Sequence, residues 1–131
     1  MPLRLPTGTR NSIVDAVTAL VGSTGTLKIY SGSQPATAND AASGTLLATV
    51  TMGAWGAASS GTANGADPVS VNASATGTAG WFRAASSGGT TVFDGDVTAT
   101  GGGGVMTLSS TALTSGNPVD ITSVTVTMPA S

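Results

Sequence analysis

From residue 26 onward the apolar positions of the chain recur with a period of two. In TLKIY (26–30), Leu27 and Ile29 fall on one side and Lys28 on the other, the signature of a half-buried strand. TLLATVTM (45–52) alternates Leu46, Ala48, Val50 and Met52 with Leu47, Thr49 and Thr51. In VDITSVTVTMP (119–129), Val124, Val126 and Met128 share a face expected to be core, and Pro129 ends the run. PVSV (68–71), TAGWFRAA (78–85), TTVFDGDV (90–97) and VMTLS (105–109) read as further short strands, with SSGG (86–89) as a turn and Gly101–Gly104 as a hairpin loop.

One stretch has a different period. In RNSIVDAVTALVGS (10–23), Ile13, Val14, Val17, Leu20 and Val21 form an i, i+1, i+4, i+7, i+8 stripe, which predicts a helix at about 12–21. Asn11 or Ser12 can cap it, Asp15 sits in its first turn, and Gly22 suits the position just past its end. Pro2 and Pro6 make residues 1–10 an extended N-terminal arm. Short β-branched strands between turn signals predict an all-β fold, an antiparallel β-sandwich or jelly-roll-like domain with one short N-terminal helix. Residues 11–131 form its single domain.

Composition narrows the function. Charged residues are 8% of the chain, against about 25% in ordinary soluble domains. The net charge of −2 and the lack of clustered cations argue against nucleic acid. No uncharged stretch is apolar enough to span a membrane, and the N-terminus lacks the apolar segment of a signal peptide, so the product is expected to stay in the cytoplasm of the cell that makes it. The core is thin, so stability is expected to depend on assembly with other chains.

Candidate chemistry is sparse. The chain has no His, Cys or Glu, which removes the usual bases and soft metal ligands, and no cofactor is expected. Asp94 and Asp96 flank Gly95 and could bind a hard cation, but no third carboxylate lies near them in sequence, so the favoured reading is a glycine bulge or turn with two solvated carboxylates and no metal site. Gly101–Gly104 lacks the following helix and the lysine of a phosphate-binding loop. The densest block is GTAGWFRAASSGGTTVFDGDV (77–97). On a strand, Trp81 and Arg83 share one face and Phe82 the other, so one aromatic is expected in the core and Trp81 with Arg83 in a protein-contact patch. The arm supplies further contact candidates in Leu3, Arg4, Leu5 and Arg10, which hold two of the four cations.

LKIYSGSQPATANDAASGTLLATVTM (27–52), the 77–97 block and VDITSVTVTMP resemble segments of small structural proteins of tailed bacteriophages. The resemblance implies a virion component, made in the host cytoplasm and carrying no catalytic residues. The reading it favours is a capsid decoration (cement) protein on the outer face of the head. It would bind the major capsid protein or other virion proteins as a small homo-oligomer, a trimer being favoured. Alternatives are a tail or tail-tip subunit and a carbohydrate-binding β-sandwich with Trp55 or Trp81 as a stacking platform.

Overall fold

The computed structural model describes residues 3–65, 68 and 70–129. Among these residues one helix, α1 (Thr7–Val21), precedes ten strands. These are β1 (Thr26–Ser31), β2 (Leu46–Thr51), β3 (Thr62–Asn64), β4 (Val71–Asn72), β5 (Gly77–Ala85), β6 (Thr91–Ala99), β7 (Met106–Leu108), β8 (Ala112–Leu113), β9 (Pro118–Val119) and β10 (Ile121–Thr127). The main sheet runs β2-β1-β5-β6-β7-β10-β3, with β8 pairing the start of β5. β4 and β9 form a separate two-stranded ribbon.

This overturns the sandwich or jelly-roll expectation. The main sheet is open and mixed, and the second sheet is a ribbon with only two residues in each strand. Among the described residues there is no second full sheet. The mixed character comes from β6 and β7, which pair in parallel with Val97 opposite Met106 and Ala99 opposite Leu108. Parallel neighbours ordinarily need a crossover of a dozen or more residues. Here Thr100–Val105 suffice, because Gly101 and Gly103 take φ of 88° and 83°, open to glycine at no steric cost. Gly101–Gly104 is therefore a tight parallel crossover rather than a hairpin loop. Side chains of β6 fasten it: Gly104 N–H donates to Thr98 Oγ1 (3.0 Å) and Val105 N–H to Asp96 Oδ1 (2.9 Å).

Leu27 and Ile29 of β1, Phe82 and Ala84 of β5, Val97 of β6, Met106 and Leu108 of β7 and Val124 of β10 are buried in one continuous cluster. Val126 and Met128 are only half-buried, so the expected core face of the last strand is core at Val124 alone. Beyond Val124 the strand leaves β7 and pairs with β3. The short run at 68–71 contributes only Val71 to a described strand, and Val69 lies outside the described residues.

The helix also differs from expectation. It begins at Thr7, so Thr7–Arg10 belong to its first turn and the described arm is Leu3–Pro6. Pro6 is the N-cap, at φ −68° in extended backbone, and Arg10 Nη2 donates to Thr7 Oγ1 (3.1 Å) across the first turn. Asn11 and Ser12 are thereby placed inside the helix and do not cap it, and Asp15 lies beyond the first turn in which it was expected. Gly22 ends the helix as expected, at φ 69°, its N–H donating to the carbonyl of Thr18 (2.9 Å). Val14, Thr18 and Val21 make the buried stripe, whereas Leu20 is 64% exposed. At about 100° per residue, Leu20 lies some 120° round the helix from Val14, outside the face that packs. The helix packs chiefly on β3 and also touches β10, β5 and β6. It is too short and too polar to cross a membrane.

Candidate functional site

The 77–97 block forms the centre of the sheet, with β5 between β1 and β6. Ile29, Phe82 and Gly95 stand in one row across these strands on the core face, and the next row, Tyr30, Trp81 and Asp96, faces the other way. Phe82 is fully buried and meets Phe93 edge to face at 5.7 Å between centroids. A Cβ at position 95 would lie 2.7 Å from Phe82 Cε1, so the glycine between Asp94 and Asp96 is the seat of the Phe82 ring.

The opposite face is not the exposed contact patch that alternation suggests. Trp81 is fully buried. Tyr30 stacks on it, 4.6 Å between centroids and 14° between planes, and the Arg83 guanidinium carbon lies 5.4 Å from its ring centroid. Arg83 binds Asp94 with both prongs, Nε to Oδ1 at 2.7 Å and Nη2 to Oδ2 at 2.9 Å. The two side chains are 12% and 2% exposed. The hydrogen bond to Asp94 raises the Arg83 pKa above its ordinary value, against an opposing effect of burial, so the guanidinium stays charged. Trp81 and Arg83 are thus internal, and both faces of β5 are covered. The Trp81 indole N–H is buried without a hydrogen-bond partner among the described residues.

The two carboxylates that flank Gly95, considered as cation ligands and not favoured as such, are both engaged within the chain. Asp94 holds Arg83, and Asp96 holds the amide of Val105. Among the described residues no group of three metal-ligating side chains comes together.

The arm residues separate. Leu3 (77% exposed) and Arg4 lie in solvent, and Leu5 is half-buried. Arg10 is drawn into a contact within the chain that the sequence did not suggest. Ser59–Thr62 is a tight turn, closed by reciprocal bonds between Ser59 and Thr62, with Ser60 and Gly61 at φ 53° and 76°. The helix satisfies its open groups. Gly61 N–H donates to Asn11 Oδ1 (2.8 Å), Ala58 N–H to Asp15 Oδ1 (2.9 Å), and Arg10 Nη1 reaches the Ser60 carbonyl (3.5 Å). Asn11 and Asp15 are four apart, which puts both on one side of the helix. That spacing is the one trace of the clamp in the sequence, and it is equally compatible with Asn11 as a cap and Asp15 in a first turn.

Hydroxyls supply the rest of the polar structure. Thr107, 7% exposed, bonds Thr122 (2.7 Å) and Ser123 (2.5 Å), and Thr122 in turn bonds Thr100 (2.8 Å). The described outward surface carries mostly small neutral residues, with a few scattered charges in Arg4, Asp15, Asp40, Asp96 and Asp120 and the exposed leucines Leu3, Leu20 and Leu46.

No family model, no curated protein and no solved structure matches the chain. These comparisons lend no support to the resemblance to phage virion proteins, and the open mixed sheet removes the β-sandwich from that description.

Proposed function

We propose that the protein is a non-catalytic structural subunit that acts by burying its surface against neighbouring protein chains. One observation carries the reading: the few charged groups of the chain are largely engaged in bonds within the fold, while large apolar side chains are left outside. Arg83, Asp94, Asp96, Asp15 and Arg10 each hold another part of the chain, and Asp40 accepts the amide of Thr37 (3.0 Å). Leu3 and Leu20 stay exposed. A surface poor in charge and carrying isolated leucines suits docking, where apolar anchors supply the affinity and little charge has to be desolvated.

The particular assembly that the phrase resemblance suggests is a phage particle, with decoration of the head as the first reading and a tail subunit as the second. The carbohydrate-binding alternative loses its main platform, since Trp81 has no exposed ring face and Trp55 is half-buried against the core.

Quantitative mass spectrometry of purified particles from a producing host tests the proposal. Hundreds of copies per particle support decoration, and a few copies support the tail. Absence from every purified particle, with no binding to isolated heads, overturns both.

A further inference from the structure

We infer that the β2 edge of the main sheet is a self-pairing edge, and that two copies of this chain join there, β2 against β2, into one continuous sheet across a two-fold axis. The inference adds an interface to the assembly role proposed above.

β2 is the last strand of the sheet and, among the described residues, pairs only with β1. Which of its backbone groups face outward follows from one bond beyond the strand. Met52 N–H donates to the Gly25 carbonyl (2.8 Å). In an antiparallel pair hydrogen-bonded positions alternate, so Val50 and Ala48 turn their amides and carbonyls toward Leu27 and Ile29. Thr49 and Thr51 turn theirs away from the sheet. Among the described residues neither has a backbone partner on that side, and both residues are exposed.

The fold covers one end of this edge and leaves the other. At Leu47 the strand bulges, and the Leu47 carbonyl accepts both the amide (2.8 Å) and the hydroxyl (3.2 Å) of Ser74. The open stretch therefore begins at Thr49. Natural edges are guarded by charges, prolines or inward-pointing polar groups. Thr49–Thr51 has none of these, and the chain carries no charge from Ala41 to Ala66.

A second copy fits this stretch by geometry. Antiparallel pairing of β2 with itself, centred on Val50, sets Thr49 opposite Thr51 of the second copy, and Thr51 opposite its Thr49. Both are hydrogen-bonded pairs, so every outward amide and carbonyl of the two threonines is satisfied at once. The side chains meet as two Thr–Thr cross-strand pairs, a favourable combination on a sheet. Because the stretch is neutral, a copy of itself meets no like charge. A two-fold axis requires such a self-complementary strand.

Analytical ultracentrifugation of the full chain, from low micromolar to near-millimolar concentration, tests the inference with two variants. Thr49→Pro removes one outward donor and leaves the β1 bonds intact, as proline is tolerated on an edge. Thr49→Lys/Thr51→Lys places lysines directly opposite one another across the axis. The expected result is a wild-type mass that rises to twice 12.5 kDa, with both variants monomeric and retaining the wild-type circular dichroism spectrum. A wild type that stays monomeric throughout overturns the inference. So does a dimer that survives the double lysine substitution in folded protein, a result that decides the matter even if Thr49→Pro fails to fold. A monomeric wild type that still binds particles leaves the proposed function standing, and a dimer that binds none leaves this interface standing.

Discussion

Arg83 and Asp94 stand directly opposite each other on β5 and β6 and close a two-pronged ion pair at 2.7 and 2.9 Å, roofed on one side by the Trp81 ring. Removing one partner leaves the other charge poorly solvated, which costs about 3 kcal/mol when a pair is buried, whereas replacing both with apolar groups is close to neutral. Arg83→Met is therefore expected to lower urea stability by roughly that amount, and Arg83→Met/Asp94→Leu to recover most of it. Equal destabilisation of the single and double variants would show that the pair is not the source of the effect. The raised pKa of Arg83 sets the sign with pH: its contribution is complete below the ordinary arginine range and fades only as pH rises through the elevated folded value. The stability difference between wild type and Arg83→Met should accordingly stay flat from neutral to mildly alkaline pH.

Gly95 is required by the ring above it. Gly95→Ala puts a methyl group 2.7 Å from Phe82 Cε1 and is expected to cost about 1–3 kcal/mol as overpacking. Phe82→Leu alone should also destabilise, but the two changes together should cost less than their sum. A double-mutant cycle by thermal melting reads that coupling, and strict additivity would place the clash elsewhere.

The helix clamp on the 58–61 turn predicts a local effect. Asn11→Ala and Asp15→Ala each strand a backbone donor and should cost about 1 kcal/mol apiece. Hydrogen exchange should accelerate at the Gly61 amide in the first variant and at the Ala58 amide in the second, with little change in the β1–β5–β6 centre.

On β10 the two positions differ. Val124 is 1% exposed and belongs to the main core, while Val126 is half-buried against β3. Val124→Asp should abolish soluble folded protein, because an unpaired buried charge costs several kcal/mol. Val126→Asp should fold with a clearly reduced melting temperature. Equivalent loss for both would mean that the Val126 side of β3 is as tightly packed as the core.

The exposed leucines should matter to docking and not to folding. Leu3→Ser and Leu20→Ser are expected to leave stability within about 0.5 kcal/mol of wild type. They should weaken binding to purified particles if the surface carrying them is the docking face. Unimpaired binding by both variants would move that face elsewhere.

Local pattern alone determined a good part of this protein. A two-residue period in TLKIY and TLLATVTM placed strands where β1 and β2 lie, and a 3.6-residue stripe followed by Gly22 located the helix and its end. These features depend on neighbours a few residues away, which the sequence displays directly. The tertiary structure decided the rest. Alternation told that Trp81 and Phe82 face opposite ways, but only the packing of Tyr30 and Arg83 against Trp81 buried both. The same strands could have closed a sandwich. A six-residue crossover that pairs β6 and β7 in parallel opened the sheet instead, and whether glycines make a hairpin or a crossover depends on which distant strand is waiting, here β10. Asn11, Asp15 and Arg10 look like a helix start and a free cation until the 58–61 turn arrives beside them. Their roles are long-range hydrogen bonds between groups some fifty positions apart, and such bonds leave no local trace in the pattern of the chain.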